Sequence, residues 1–156
     1  MVKKIPVSKN NNSKVAIIAI HGWKGNLSSM EHVANALNIK YAQWTFIQGP
    51  YAAGDNKYSW FEGNEKEGWN YQESFDLLYK TILDIKQSGF PKYKIFLLGF
   101  SLGACLAMEF IIRQKFSIGG IIPIAGFIVE KDKFKNGMVD GSQNTPVLLI
   151  LSLIHI

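Results

Sequence analysis

Short apolar runs recur along the chain, and each is bounded by polar or turn-forming residues. The strongest is Val15–Ile20, in which every residue is apolar before the pattern stops at His21 and Gly22. A short run bounded in this way predicts a strand covered on both faces, as in a parallel sheet. On this pattern, strands are predicted at residues 15–20, 43–48, 94–98, 120–126 and 146–151.

Helical spacing occupies much of the sequence between these strands. A capping-box pattern at residues 70–73 precedes apolar side chains at helical spacing, and a turn sequence at residues 88–91 then ends the helix. The spaced side chains are Phe75, Leu78, Tyr79, Ile82 and Ile85. Another capping-box pattern, Ser-x-x-Glu at residues 28–31, opens a helix to about residue 37, and residues 102–112 are apolar nearly all round. Strands alternating with helices predict an α/β fold, a three-layer α/β/α sandwich with a mostly parallel sheet.

One apolar run leads directly into Gly-x-Ser-x-Gly at residues 99–103, with helix-like sequence after it. This arrangement predicts a nucleophile elbow, a sharp strand-to-helix turn that holds Ser101 in a strained backbone conformation. Glycines flank the serine because side chains at those positions would clash in such a turn. The amide of Leu102 would then point toward the oxyanion that forms when Ser101 attacks a carbonyl.

The same motif has two other interpretations. A Gly-Ser turn would join a buried strand to a buried helix without any chemistry. A dinucleotide-binding turn is disfavoured, because Ser101 stands where the middle glycine would let the backbone approach a pyrophosphate.

A loop with two glycines, residues 21–26, follows the first predicted strand. In hydrolases with a nucleophile elbow the second oxyanion amide comes from the loop after an early strand, and here that position is Trp23. We interpret His21 as structural, because the catalytic histidine of such enzymes follows the serine in chain order.

A long stretch, residues 49–68, is rich in aromatic side chains and is predicted to be irregular. Loops of this length in compact domains are usually functional or mobile. One interpretation of Trp60 and Phe61, in this stretch, is that their rings cover the sheet as part of the core.

Composition narrows the class of protein. With 156 residues, 47% of them hydrophobic and 19% charged, the chain is expected to fold as one domain with a sizeable core. The net charge of +5 comes mainly from dispersed lysines, which disfavours a nucleic-acid partner. The single cysteine, Cys105, excludes an internal disulfide and is expected in the core. No run suited to a signal peptide or a transmembrane segment is found, so a cytoplasmic location is expected.

Four motifs occur in the order of a known family: His-Gly-Trp, Tyr-Ser-Trp-Phe, Gly-Phe-Ser-Leu-Gly-Ala and Thr-Pro-Val-Leu-Leu-Ile, at residues 21–23, 58–61, 99–104 and 145–150. On these motifs, residues 15–150 resemble the α/β-hydrolase superfamily, and within it the phospholipase/carboxylesterase/thioesterase family that includes acyl-protein thioesterases. The resemblance implies an α/β-hydrolase fold with Ser101 as nucleophile. It also implies Trp23 and Leu102 as backbone oxyanion donors. The aromatic loop would border an acyl-binding groove, with Trp60 and Phe61 as the candidates for lining it.

Two features depart from the family. The residue after the nucleophile is often glutamine there and is Leu102 here, although only its amide is needed. In the family, a strand like residues 146–150 leads to the catalytic aspartate and, after a further strand, to the catalytic histidine. Neither is found, so residues 1–150 are expected to be a single domain without its C-terminal portion. Residues 151–156, which resemble a translated sequencing adapter, are expected to be a non-native tail.

A formal triad of Ser101, Asp132 or Asp140, and His155 can be written, but His155 would extend a buried strand rather than lie on a loop over the sheet edge. The sequence therefore predicts a serine hydrolase that cleaves carboxylic esters or thioesters of small-molecule or lipid-like acyl substrates. No metal or organic cofactor is expected, and the fragment itself is expected to be inactive without its base. The alternative is a non-catalytic acyl-binding, ligand-binding or scaffold domain that uses the same groove.

Overall fold

The computed structural model of the protein describes residues 12–134 and 137–151. The helices within these residues are α1 (Glu31–Leu37), α2 (Gln72–Gln87) and α3 (Leu102–Ile111). The strands are β1 (Val15–Ile20), β2 (Ala42–Ile47), β3 (Tyr51–Ala52), β4 (Tyr58–Ser59), β5 (Glu62–Asn64), β6 (Gly68–Asn70), β7 (Ile95–Phe100) and β8 (Gly120–Ile124). Short 3-10 turns occupy Leu27–Met30, Lys92–Lys94, Lys131–Phe134 and Ser142–Asn144.

Four of these strands form a parallel sheet in the order β2-β1-β7-β8. β1 lies between β2 and β7, so that its last residue, Ile20, is opposite Ile47 on one side and Gly99 on the other. Every residue of β1 from Ala16 onward is buried, as its continuous apolar run predicts. The predicted α/β fold with a mostly parallel sheet is confirmed.

Residues 146–150 pair with the free edge of β8, where a strand is predicted, but as two separate parallel bridges rather than a continuous ladder. The Leu148 and Ile150 amides each donate to a β8 carbonyl at 3.0 Å, and the Ala125 amide donates to the Ile150 carbonyl at 2.8 Å. The hydrogen bond expected between the two bridges is missing because Pro123, in the middle of β8, has no N–H to donate.

The sheet has a topological switch point between β1 and β7. The chain leaves β1 toward β2 on one side and returns through β7 on the other side of β1. In open α/β sheets, ligands bind at the carboxyl ends of the strands where the order reverses in this way. The loop after β1 and the turn after β7 both lie at this position.

Helices cover both faces of the sheet. The larger core cluster packs α2 and α3 against one face, and its fully buried side chains include Trp60, Leu78 and Phe110. The smaller cluster, which includes Met30 and Leu98, lies on the opposite face beside α1. α2 buries the stripe that its periodicity predicts, whereas α3 is buried nearly all round because its sheet and the chain after β8 enclose it.

Local details differ from the predictions where the signal is short. The predicted cap at Ser28 is not formed: Asn26 caps the 3-10 turn Leu27–Met30, and α1 follows with Met30 at its N-cap position and no side-chain cap. α2 has Tyr71 at its N-cap position with no side-chain cap, so the predicted box at Asn70 is not formed. The stretch predicted to be irregular holds two antiparallel pairs, β3 with β4 and β5 with β6.

Candidate active site

Ser101 occupies the turn between β7 and α3 with φ 51° and ψ −117°. A non-glycine residue with positive φ costs of order 1–3 kcal/mol, so the surrounding structure must hold it there. The Ser101 amide donates to the Ile124 carbonyl of β8 at 2.8 Å, and the Ser101 carbonyl accepts from the Ala104 and Cys105 amides at 2.9 and 3.0 Å. These bonds fix the backbone of Ser101 on both sides, as a nucleophile elbow requires.

The flanking glycines are required by contact distance. A methyl group at Gly99 would lie 2.4 Å from the Gly103 carbonyl oxygen. A methyl group at Gly103 would lie 2.4 Å from the carbonyl oxygen of Ile20 and 2.5 Å from that of His21. The first helical turn of α3 therefore packs directly on the carboxyl end of β1. This packing brings the elbow beside the loop that follows β1.

That loop, residues 21–26, turns back on itself next to Ser101. The Gly25 amide donates to the Gly22 carbonyl at 3.0 Å, and a methyl group at Gly22 would lie 3.5 Å from Ser101 Cβ. Trp23 is the next residue, with 63% of its side chain exposed and the Lys24 ammonium 4.4 Å from its ring centroid. Trp23 therefore directly follows Gly22, and Gly22 lies beside Ser101.

Leu102 is the first residue of α3, directly after Ser101. The first amides of a helix have no partner in the preceding turn, and they carry the positive end of the helix dipole. This position is compatible with an oxyanion role for the Leu102 amide, which stays a prediction.

The His21 ring is buried and both of its nitrogens are bound to backbone. Nε2 accepts a hydrogen bond from the Gly49 amide at 3.0 Å, which leaves Nδ1 to donate to the Gly22 carbonyl at 2.7 Å. Burial lowers the pKa of His21 below its ordinary value, and the bond to Gly22 only partly opposes this. A neutral His21 thus holds the loop that carries Trp23, which agrees with its interpretation as structural.

The other candidate partners form no hydrogen bond with the Ser101 side chain within the described residues. Ser101 makes no side-chain capping bond, and His32 is exposed on α1. Asp132 and Asp140 are exposed in the segment after β8. His155 lies outside the described residues.

Trp60 and Phe61 lie in the core beneath the site. Trp60 is fully buried, its indole N–H donates to the His21 carbonyl at 2.7 Å, and its ring centroid is 4.7 Å from that of His21. Phe61 is buried and packs edge-on against the rings of Trp69 and Tyr71. These contacts support the core alternative for Trp60, and lining of an acyl site by either ring stays a prediction.

Cys105 is buried one turn into α3, and burial raises the pKa of its thiol. A buried thiol kept protonated in this way is a poor nucleophile. Among the residues that the structure describes, no group of three His, Cys, Asp or Glu side chains is placed to hold a metal ion. No helix in the same part of the chain is long and apolar enough to cross a membrane.

The sequence reasoning missed a buried ionic network on α3. Glu109 is fully buried and is paired with Arg113 one turn later, and Arg113 also bonds Glu130 after β8 at 3.1 Å. A glutamate and an arginine four residues apart in an otherwise apolar helix are the signal that would have revealed it.

The sequence and the fold resemble those of known proteins. The profile of the phospholipase/carboxylesterase family matches residues 3–153. SOBER1 of Arabidopsis thaliana has a similar solved structure, with 19% identity and a TM-score of 0.74 over 86% of this chain and 72% of that chain. Esterase PE8 gives 20% identity and a TM-score of 0.71 over 95% of this chain and 72% of that chain.

A phospholipase/carboxylesterase from Dyadobacter fermentans is 26% identical, with a TM-score of 0.58 over 81% of this chain and 58% of that chain. No curated protein matches the chain in sequence. The structural likenesses support the fold, and the family profile extends over nearly the whole sequence. This chain therefore belongs to the phospholipase/carboxylesterase family of α/β-hydrolases.

Proposed function

We propose that this protein is a serine hydrolase that cleaves carboxylic ester or thioester bonds through an acyl-enzyme on Ser101. The observation that carries the proposal is the position of Ser101, at φ 51° on the turn between β7 and α3 and beside the loop after β1. A serine in this strained position, at the switch point of a parallel sheet, has its hydroxyl at the edge where substrates bind.

In the proposed reaction, Ser101 Oγ attacks the acyl carbonyl carbon and gives its proton to a histidine acting as general base. The amides of Trp23 and Leu102 donate to the resulting oxyanion. The intermediate collapses when the histidine returns the proton to the leaving alcohol or thiol, and water then hydrolyses the acyl-enzyme. The backbone bonds of His21 oppose a role as this base, so the proposal assigns the base to the histidine that follows a further strand in the family, and not to His21 or His155.

His21 has a supporting role in this proposal. Its ring binds the Gly22 carbonyl and the Gly49 amide, and its own carbonyl accepts from Trp60. Such a buried and fully bonded ring restrains the direction of the next peptide groups, including the Trp23 amide.

The test is labelling of Ser101 by an active-site phosphonate, together with hydrolysis of p-nitrophenyl esters and acyl thioesters, in the complete gene product. Ser101→Ala is expected to abolish labelling and to lower turnover by several powers of ten. Ser117→Ala is the matched control, because Ser117 is a serine outside the elbow. This variant should label normally. Unchanged labelling of Ser101→Ala would refute the nucleophile assignment.

A non-catalytic acyl-binding or scaffold domain is the competing function. It is favoured by the absence, among residues 12–134 and 137–151, of a histidine bonded to the Ser101 hydroxyl. The two functions separate in the same experiment, because a binding domain would retain acyl ligands while neither labelling nor turning over.

A further inference from the structure

Glu109 is a buried acid for which the proposed reaction has no use. It lies two helical turns after Ser101 and its side chain is 0% exposed. Burying a carboxylate costs several kcal/mol unless it is paired and fully hydrogen-bonded. Here Oε2 pairs with the Arg113 guanidinium, and Oε1 accepts from the Val129 and Glu130 amides at 2.6 and 2.8 Å. The carboxylate therefore holds two consecutive amides of a segment 20 residues further along the chain.

That segment, residues 125–130, begins at the carboxyl end of β8 and crosses the first turns of α3. A methyl group at Gly126 would lie 2.5 Å from Ala104 Cβ, and the Phe127 amide approaches Cys105 Sγ at 3.4 Å. The residue before the segment, Ile124, accepts the Ser101 amide. The segment thus starts at the elbow, passes over Ala104 and Cys105, and ends on Glu109.

The far end of the segment is held from a second direction. The Glu130 carboxylate accepts from Arg113 at 3.1 Å, from Lys133 at 2.8 Å and from the Tyr71 hydroxyl. The Arg113 guanidinium lies 5.5 and 5.8 Å from the ring centroids of Tyr71 and Phe75. Arg113 therefore links Glu109, Glu130 and the start of α2 in one network.

Phe127 has an anchored backbone but an exposed ring. Gly126 before it and Val129 two residues after it are held against α3, while 62% of the Phe127 residue remains open to solvent. An exposed aromatic side chain on a rigid segment beside a reactive centre suits contact with an apolar group.

We propose that Glu109 is a positioning residue that fixes residues 125–130 against α3 and so presents the Phe127 ring as one wall of the acyl site beside Ser101. The proposal rests on the proposed function for its substrate, an ester or thioester with an apolar acyl chain. Glu109 touches no reacting atom, and its effect on the reaction passes through the backbone of Val129 and Glu130.

The experiment compares Glu109→Leu, which removes both acceptor oxygens, with Glu109→Gln, which keeps one for the two amides. Thr81→Val is the matched control, because Thr81 is equally buried on α2 and its hydroxyl bonds only its own helix, at 2.7 Å from the Leu77 carbonyl. Two quantities are measured in each variant of the complete gene product. They are amide hydrogen exchange at Val129 and Glu130, and the ratio of kcat/KM for long-chain and short-chain p-nitrophenyl esters.

Glu109→Leu is expected to speed exchange at both amides by about tenfold or more and to lower the long-to-short ratio by about tenfold. Glu109→Gln should stay close to the unaltered protein in exchange rate and in the kcat/KM ratio. Thr81→Val should change neither quantity, although Thr81→Val and Glu109→Leu, as substitutions of buried residues, both lower stability. Phe127→Ala, a surface substitution, should lower the ratio as Glu109→Leu does.

Unchanged exchange in Glu109→Leu would overturn the positioning role, whether or not the protein hydrolyses esters. An unchanged ratio in Phe127→Ala would overturn the wall assignment. Failure of the proposed function is distinguishable, because it would appear as Ser101-independent or absent hydrolysis in the unaltered protein while the exchange measurement still decides the role of Glu109.

Discussion

Gly103→Ala is the most direct perturbation of the junction between α3 and β1. The added methyl would lie 2.4 Å from the Ile20 carbonyl oxygen and 2.5 Å from the His21 carbonyl oxygen. Ordinary packing separates such atoms by about 3.5 Å, so the overlap is roughly 1 Å on two sides. Both obstacles are backbone atoms at the end of a central strand, and neither can rotate away. The helix must therefore move away from the sheet.

Overpacking usually costs about 1–3 kcal/mol, and two rigid obstacles place this substitution near 3 kcal/mol. For a domain of this size each kcal/mol lowers the melting temperature by about 2–4 °C, so the expected fall is roughly 6–12 °C. A shift of roughly 1 Å at a reacting group can also lower the rate about a hundredfold. Gly103→Ala should therefore lower both the melting temperature and the rate of phosphonate labelling at Ser101.

Thermal unfolding and labelling kinetics in the same preparation provide the test. Gly22→Ala is the matched control for stability. Its methyl would meet the Phe100 ring at 3.1 Å, the Phe100 carbonyl at 3.4 Å and Ser101 Cβ at 3.5 Å, all farther away than the obstacles at Gly103. It should cost less than about 1 kcal/mol. If Gly103→Ala melted within about 2 °C of the unaltered protein and labelled at the normal rate, close packing of α3 on β1 would not be what fixes the elbow.

Two further predictions concern the support of the loop after β1. Because burial lowers the pKa of His21 in the folded protein, the unfolded chain binds the proton more readily. The contribution of neutral His21 to the free energy of unfolding is therefore full above about pH 6.5 and is lost as the pH falls toward the lowered folded pKa. Urea unfolding at pH 7.5 and 5.5 should show a smaller loss in His21→Asn than in the unaltered protein, and equal losses would refute this. Trp60→Ala should destabilise by roughly 3–5 kcal/mol because its fully buried ring donates to the His21 carbonyl. It should leave the ratio of long-chain to short-chain turnover unchanged, whereas a changed ratio would favour the acyl-site prediction.

Patterns within a few residues of sequence predicted most of the fold. The apolar run of β1, the stripe of α2 and the Gly-x-Ser-x-Gly turn each contain their own structural signal, and the structure has all three. The same holds for Gly99, whose closest contact is the Gly103 carbonyl oxygen in the same turn, whereas Gly103 is required by the backbone of Ile20 and His21. Local pattern was sufficient because the neighbours that decide these conformations are themselves close in sequence or are imposed by the sheet.

The remaining features depend on residues that only the fold brings together. Glu109 meets the Val129 and Glu130 amides across 20 residues of sequence, and no periodicity connects those positions. The hairpins in residues 51–70 have strands of two or three residues, too short for alternation to be read. The cap at Asn26 belongs to a 3-10 turn of four residues, which is also too short for a period to be read. Long-range contacts and very short elements therefore could not be predicted from the sequence.

Because Pro123 cannot donate a hydrogen bond, the two edges of β8 differ in the continuity of their pairing. On the edge facing β7, its residues from Gly120 to Ile124 pair in continuous register, and Ile124 also accepts the Ser101 amide. On the other edge the ladder is interrupted, and residues 147–151 are exposed. The outer segment can therefore peel away as a separate unit of low local stability while the pairing that fixes the elbow stays closed. Fluctuation at the sheet's rim is in this way insulated from the geometry at Ser101.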